Sequence, residues 1–171
     1  MNARAIPFSI AAAVFLVDRV TKWMICRSVG AFDIHRLIPG FFNIVHTENP
    51  GAAFSLLADA SGVWRSVFLI GLSSTVTIFI AIMLWRGSKH GTLESLVRLG
   101  LALVLGGALG NLFDRVLTGT VTDFLEVYYG SYYFPAFNVA DSAISIGAGL
   151  LLIDMLRGRS KKLEPQSLDV P

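Results

Sequence analysis

Four apolar stretches, each about as long as a membrane span, interrupt the polar parts of this 171-residue sequence. They cover residues 6–25, 63–85, 95–113 and 137–156. A helix needs roughly 20 residues to cross the hydrocarbon core of a bilayer, so each stretch is long enough to span it. Only 15% of the residues are charged and 54% are apolar, which is unusual for a soluble globule. The sequence therefore predicts an all-α membrane protein with four transmembrane helices.

The distribution of Lys and Arg predicts the orientation of these helices. Four spans place both termini on one side, and cytoplasmic segments are enriched in basic residues. The side that carries the termini holds most of the flanking basic residues: Arg4, Arg86, Lys89, Arg157, Arg159, Lys161 and Lys162. We therefore expect cytoplasmic termini, with the connections 26–62 and 114–136 on the outer side.

The first outer connection is too long for a simple turn. Alternation over 41–47 predicts a strand with Phe42, Ile44 and His46 on one face. We expect this strand to belong to a small extracytoplasmic β-sheet in the first outer loop. The turn signal that follows, ENPG at 48–51, is expected to lead into a short apolar helix over 52–57.

The rest of the chain shows no internal repeat and no second domain. We expect a single four-helix membrane domain over 1–157. The segment 158–171 is basic at first and then polar with two prolines. This composition predicts a disordered cytoplasmic tail.

The single cysteine and the three histidines do not suggest a metal site. Cys26 excludes an internal disulfide, and His35, His46 and His90 show no metal-ligand spacing. The sequence places no histidine beside Cys26 to act as its base. With a net charge of only +2, nothing indicates a nucleic-acid partner.

Two of the apolar stretches contain residues that are costly or unusual in lipid. A charged residue at mid-helix costs roughly 2.5–3.5 kcal/mol on insertion scales. Asp18 and Lys22 are four residues apart, and we expect them to form an ion pair of structural importance. In the third stretch the GxxxG spacing of Gly106 and Gly110 predicts close approach of a neighbouring helix.

Several polar residues are predicted at one depth, the outer membrane boundary. They are Asn49, Asn111, Arg115, Asp123, Asn138 and Asp141. Taken alone, Asp123 can equally be a turn residue or a helix cap. Their common depth nevertheless favours a single polar site. Two aspartates that flank a water molecule can cut a peptide bond if one is ionised as general base and the other is protonated as general acid.

Two other classes of function account for part of this pattern. A small transporter or channel can also hold polar residues in a helix bundle, but it predicts them at several depths rather than at one boundary. A membrane scaffold without catalytic activity leaves the two aspartates without a role.

Five short motifs occur in order along the chain: DRVTK at 18–22, ENPGAAF at 48–54, GNLFDR at 110–115, VTDF at 121–124 and FNVAD at 137–141. Each motif alone is weak. Together they cover nearly the whole chain apart from its tail, and they resemble the bacterial lipoprotein signal peptidase family, which consists of aspartic membrane peptidases.

The resemblance implies a function and a site. Asp123 and Asp141 would be the catalytic pair, near the extracytoplasmic face of the bacterial inner membrane. The substrate would be a prolipoprotein whose cysteine carries diacylglyceryl, cleaved just before that cysteine. The remaining polar residues would shape or support the site: Asn49, Asn111, Arg115, Asn138, Asp18 and Lys22. No cofactor or metal is implied, and we expect a monomer in contact with membrane lipid.

Overall fold

The computed structural model describes residues 5–31, 33–51, 62–90 and 94–163. The elements in chain order are α1 (Ala5–Ser28), β1 (Ile34–Ile38), β2 (Phe42–Asn49), α2 (Gly62–His90), α3 (Ser95–Thr118), β3 (Val121–Tyr129), β4 (Tyr132–Tyr133) and α4 (Val139–Leu163). The short helix expected over 52–57 lies outside the described residues. Helix α4 continues to Leu163, and the rest of the predicted tail, 164–171, also lies outside them.

Three of the four predicted membrane spans are confirmed by length and composition. The apolar segments Val63–Gly87, Ser95–Thr118 and Val139–Arg157 lie in α2, α3 and α4 and are long and apolar enough to cross a membrane. Helix α1 covers the remaining stretch with 24 residues, but its second half carries several charged side chains. The fourth span therefore stays a prediction.

Helix α3 lies at the centre of the bundle and packs against the other three helices. Glycines make this close packing possible. A Cβ atom on Gly106 would lie 2.6 Å from the carbonyl oxygen of Ala11 in α1, and one on Gly107 would lie 2.4 Å from that of Ala140 in α4. Small residues in α3 thus let both neighbours approach, as the GxxxG spacing predicts.

The bundle has a small apolar core and an apolar outer surface. The core lies away from the sheet and contains Ala11, Ile80, Leu84, Leu101, Ala102 and Leu105. Large apolar side chains on the outward faces of the helices are more than half exposed, including Leu16 and Trp23 of α1 and Phe79 of α2. An apolar outer surface of this kind suits contact with lipid rather than water.

The four strands form one antiparallel sheet in the order β1-β2-β3-β4. In the β2–β3 pair, Ile44 is opposite Leu125 and Thr47 is opposite Asp123. Between these two pairs β2 contains one residue more than β3, which is a β-bulge. The register of β3 relative to β2 therefore depends on this extra residue.

The predicted sheet was correct for the first outer loop and incomplete for the second. The first loop supplies β1 and β2, and β2 overlaps the strand expected over 41–47. The second connection adds β3 and β4, which were not predicted. The first four residues of β3, from Val121 to Phe124, are all buried, so the alternation that identifies a half-buried strand is absent there.

Candidate active site

All eight predicted site residues meet where the sheet joins the helix bundle. They come from five parts of the chain: α1, the end of β2, α3, β3, and the start of α4 with the residue before it. They are Asp18, Lys22, Asn49, Asn111, Arg115, Asp123, Asn138 and Asp141.

Asn138 caps helix α4 and is fully buried. Its Oδ1 accepts a hydrogen bond of 2.9 Å from the backbone N–H of Asp141, and the Asp141 Oδ2 accepts one of 3.2 Å from the Asn138 backbone N–H. This reciprocal arrangement is a capping box, which satisfies two N–H groups at the helix N-terminus. The backbone N–H of Asp141 can only donate, so the Asn138 side-chain atom that accepts from it is the amide oxygen. The other end of the Asn138 amide is therefore the NH₂ group.

The Asn138 NH₂ group reaches the other aspartate. Its Nδ2 donates to Asp123 Oδ1 over 2.7 Å, and Asn49 Nδ2 donates to Asp123 Oδ2 over 2.9 Å. The Asp141 Oδ1 accepts a hydrogen bond of 2.7 Å from Asn111 Nδ2. Three asparagine side chains therefore orient the two carboxyl groups, and Asn138 contacts both aspartates.

Burial changes the proton affinity of Asp123, which is only 2% exposed. Loss of contact with water raises the pKa of this carboxyl from 3.8 to about 6, and the nearby charge of Asp141 contributes in the same direction. The hydrogen bonds from Asn49 and Asn138 act against this shift because they stabilise the ionised form. Asp123 therefore keeps its proton to a higher pH than an ordinary aspartate.

Lys22 confirms the ion pair predicted for α1 and makes further contacts. Its Nζ lies 2.9 Å from Asp18 Oδ2 and 2.7 Å from Asp114 Oδ2, and it donates to Asn111 Oδ1 over 3.0 Å. Lys22 is 1% exposed and Asp18 is fully buried. Buried charges persist only when they are paired and hydrogen-bonded, and here two carboxylates and an amide surround one ammonium.

Arg19 and Asp114 form a second ion pair in this network and were not among the predicted site residues. Two cations and two carboxylates from α1 and α3 thus compensate one another inside the bundle. The signal in the sequence was a surplus charge on each helix: Arg19 beside the predicted Asp18–Lys22 pair, and Asp114 within the GNLFDR motif. A charged residue in an apolar stretch needs a partner, so each surplus charge indicated an opposite charge on the other helix.

Arg115 contacts different groups from those that its neighbour Asp114 contacts. Its Nη1 is 3.4 Å from the carbonyl oxygen of Asn111, and its charge interacts favourably with Asp141 and Asp123. Asp114 is directed towards Arg19 and Lys22 instead. Helix α3 therefore presents a guanidinium to the aspartates and a carboxylate to α1.

Cys26 has a histidine neighbour that the sequence could not place beside it. His46 lies beside Cys26, with 3.8 Å between Nε2 and Sγ. The two residues are 20 positions apart, in α1 and β2, so no local spacing could reveal the contact. The pair lies next to Thr122, whose Oγ1 is 4.0 Å from the Cys26 Sγ.

The geometry suits chemistry by two unlike carboxyl groups. Asp123 on the sheet has a raised pKa, and Asp141 at the N-terminus of α4 accepts two N–H hydrogen bonds. A carboxyl that holds its proton beside a carboxylate that accepts hydrogen bonds is the combination required for general acid and general base.

Known proteins are similar to this chain in sequence and in fold. The family model for signal peptidase (SPase) II matches residues 10–157. The lipoprotein signal peptidase of Solibacter usitatus (strain Ellin6076) is 49% identical over 150 residues, which cover 88% of this chain and 90% of that protein. That of Cupriavidus taiwanensis is 47% identical over 149 residues, covering 87% and 81%.

A solved structure of a bacterial membrane enzyme aligns with a TM-score of 0.80 at 32% identity, covering 95% of this chain and 94% of that one. These similarities confirm the resemblance carried by the five motifs. Because the family model spans nearly the whole described bundle and sheet, the chain belongs to the signal peptidase II family.

Proposed function

We propose that this chain is a membrane aspartic endopeptidase that removes signal peptides from diacylglyceryl-modified prolipoproteins, cutting just before the lipidated cysteine. Membership of the signal peptidase II family and relatives named lipoprotein signal peptidase support proteolysis of this substrate class. These relatives give no support to the transporter or channel.

The observation that carries the aspartic mechanism is the double contact of Asn138. Its side-chain amide donates to the Asp123 carboxyl and its backbone N–H donates to the Asp141 carboxyl, so the two carboxyl groups are oriented around the same residue. The charge of Asp141 contributes to the raised pKa of Asp123, so Asp141 lies close enough to act on the Asp123 carboxyl. Close carboxyl groups that titrate separately divide the acid and base roles.

In this mechanism Asp141 is the general base and Asp123 the general acid. Asp141 removes a proton from a water molecule as its oxygen attacks the scissile carbonyl carbon, and Asp123 gives its proton to the carbonyl oxygen. When the resulting tetrahedral intermediate collapses, the leaving nitrogen receives the proton held by Asp141. One hydroxyl group of this gem-diol intermediate gives its proton to Asp123 as the carbonyl of the new carboxyl product re-forms, so both aspartates regain their starting states.

The surrounding residues have positioning roles in this proposal. Asn49, Asn111 and Asn138 hold the two carboxyl groups through the hydrogen bonds described above. Arg115 is the cation available to bind the substrate backbone near the aspartates. Lys22 holds Asn111 through its 3.0 Å hydrogen bond to the amide oxygen, and Asp18 pairs with Lys22.

We also propose that α1 is the fourth span, with both termini in the cytoplasm and the site near the extracytoplasmic face. Three of the charges that lower the apolarity of α1, those of Asp18, Arg19 and Lys22, are paired with opposite charges in α1 and α3, which reduces the cost of placing them at membrane depth. An apolar groove of about 650 Å³ lies between α1 and α3 and includes Phe15, Trp23 and Phe113. It opens beside Lys22 and Thr122, so acyl chains of a substrate can remain in apolar surroundings near the site.

In this proposal residues 1–157 act as one domain and as a monomer. The segment 158–171 follows this domain on the cytoplasmic side.

The test is cleavage of a diacylglyceryl peptide by the full chain purified in detergent, with the same peptide carrying an unmodified cysteine as substrate control. Asp123→Asn and Asp141→Asn should each abolish cleavage, because an amide cannot exchange the proton. Asp154→Asn, on the same helix as Asp141 but near its other end, is the matched control and should keep activity. Substantial cleavage by either correctly folded single variant contradicts the aspartic mechanism.

A further inference from the structure

Three side chains that the proposed peptidase mechanism does not use converge beside the sheet. Cys26 lies near the end of α1, while His46 and Glu48 are two positions apart on β2 and so point to the same face. Cys26 Sγ is 3.8 Å from His46 Nε2, which is 3.3 Å from Glu48 Oε1. The three donor atoms all lie within 4.8 Å of one another.

His46 is oriented with one ring nitrogen towards this cluster. Its Nδ1 lies 2.9 Å from the carbonyl oxygen of Val29. A carbonyl oxygen can only accept, so Nδ1 carries a hydrogen and the neutral ring has its lone pair on Nε2. Histidines that bind metal ions commonly donate their other N–H to a backbone carbonyl in this way, which fixes the ring and the tautomer.

Glu48 is held by two hydroxyl groups. Thr120 Oγ1 donates to Glu48 Oε2 over 2.5 Å, and Thr122 Oγ1 donates to Oε1 over 3.1 Å. Both threonines come from the chain at the start of β3, across the sheet from Glu48. Carboxylates that bind metal ions are typically held in this way by hydrogen bonds from surrounding groups.

The two distances that join His46 Nε2 to the other donor atoms fit tetrahedral zinc. With bonds of about 2.3 Å to sulfur, about 2.0 Å to nitrogen and about 2.1 Å to oxygen, a tetrahedral ion separates S and N by about 3.5 Å and N and O by about 3.3 Å. The corresponding separations in the structure are 3.8 Å and 3.3 Å. We propose that Cys26, His46 and Glu48 form a zinc-binding site with a fourth position open to water.

The chemistry of the three ligands favours zinc over other common cations. Magnesium and calcium prefer oxygen ligands alone, whereas a thiolate, an imidazole and a carboxylate suit the borderline-soft Zn²⁺. One thiolate and one carboxylate also neutralise the two positive charges of the ion. Cys26 and Glu48 are exposed, so a cation can enter without opening the fold.

A proton competes with zinc for the Nε2 atom of His46. A second proton on His46 would turn the His46–Glu48 contact into an ordinary ion pair on the sheet surface. Zinc binding displaces that proton when it is present and also releases the Cys26 thiol proton to solvent. The site goes beyond the proposed peptidase activity, since none of its three ligands belongs to the aspartate pair.

The test is zinc retention by the full chain, purified in detergent without a polyhistidine tag, loaded with Zn²⁺ and passed through a desalting column. Wild type should retain stoichiometric zinc by elemental analysis, and Cys26→Ser and His46→Gln should lose it. His35→Gln is the matched control, because His35 lies exposed on the neighbouring strand β1 and should leave retention unchanged. Equal retention by wild type and His46→Gln overturns the proposal.

A second measurement does not depend on the folding of the ligand variants. Zn²⁺ should slow alkylation of Cys26 in the wild-type protein, and a chelator should restore the rate. Thr122→Val keeps all three ligands but removes the hydroxyl that donates to Glu48 and lies 4.0 Å from Cys26 Sγ, and it should weaken zinc binding about 10–100-fold without abolishing it. A Cys26 alkylation rate in wild type that does not respond to Zn²⁺ overturns the proposal. The inactive Asp141→Asn variant should bind zinc normally, which separates this site from the peptidase mechanism.

Discussion

The Asp18 carboxylate accepts a hydrogen bond of 3.0 Å from the backbone N–H of Ala140, 122 residues later in the chain. This contact joins the first helix to the N-terminus of α4, one residue before Asp141. A carboxylate at this position also interacts favourably with the helix dipole. Asp18 thus helps to hold the end of the helix that carries one of the two aspartates.

The approach of Asp18 depends on Gly110. A Cβ atom on Gly110 would lie 2.5 Å from Asp18 Oδ2, so Gly110→Ala should displace the carboxylate and lower stability by roughly 1–3 kcal/mol. Thermal unfolding in detergent measures the change. Gly149→Ala is the matched control, because nothing lies within 4 Å of its added Cβ, and it should be neutral or stabilise by up to about 1 kcal/mol. Equal stability of the two variants contradicts this role of Gly110.

The two aspartates should act as one unit. If each single Asn variant abolishes cleavage, the double variant Asp123→Asn/Asp141→Asn should be hardly worse than either, because groups that share one step give non-additive losses. Single-turnover cleavage of the lipidated peptide measures the residual rates. Losses that multiply in the double variant would mean that the carboxyl groups serve separate steps.

The Asp123 pKa should respond to Asp141. Asp141→Asn removes the charge that contributes to the raised value, so the Asp123 pKa should fall from about 6 while remaining above 3.8, since burial is the larger cause. Infrared titration of the protonated carboxyl band can measure this. An unchanged or higher Asp123 pKa in Asp141→Asn would show that the two groups do not interact.

The same shift makes stability depend on pH with a defined sign. Because folding raises the Asp123 pKa, this group stabilises the fold fully below pH 3.8, and the contribution is lost as the pH rises through about 6. Asp123→Asn should lack this dependence. Between pH 4 and pH 7 the Tm of wild type should therefore fall relative to the Tm of Asp123→Asn. A difference in Tm that stays constant over this range contradicts the raised pKa.

Arg115→Lys should impair cleavage although it keeps the positive charge. A guanidinium is a planar fork that can hold two acceptors, whereas an ammonium is a compact point charge. The expected loss is in kcat/KM for the lipidated peptide. Arg98→Lys, on the same helix near Ser95, is the matched control and should be fully active. Full activity of a folded Arg115→Ala protein would leave Arg115 without a role at the site.

The orientation can be tested with introduced cysteines in a Cys26→Ser background. Tyr132→Cys, at the exposed end of the sheet, should be labelled by an impermeant reagent added outside the cell. Arg157→Cys, near the far end of α4, should be protected until the membrane is permeabilised. The reverse pattern contradicts cytoplasmic termini.

Much of the fold and the site could be predicted because the signals are local. The lengths of the apolar stretches indicate the helices, and the Asp18–Lys22 pair follows from a spacing of four on one helix face. The membership of Asp123 in the site came from the order of motifs and from its common depth with other polar residues, not from any pattern around it.

The features that were missed depend on pairing across long sequence separations. Strand β3 is stabilised by pairing with β2, and its buried first half hides the alternation that reveals a strand. The Arg19–Asp114 pair joins residues 95 positions apart. Cys26 and His46 meet only because α1 ends beside the sheet. None of these contacts produces a periodic pattern in the sequence around either partner.

The β-bulge on β2 makes the two strands unequal in their tolerance of length changes. Between the pairs Ile44–Leu125 and Thr47–Asp123, β2 has two residues and β3 has one, so removing one residue from β2 there leaves both pairs opposite each other. Successive side chains of a strand point to opposite faces, so deleting Phe124 from β3 would instead turn Asp123 to the other face, away from Asn138. The hairpin turns at Gly40 and Gly130 lie outside this register, and length changes there leave Asp123 in place.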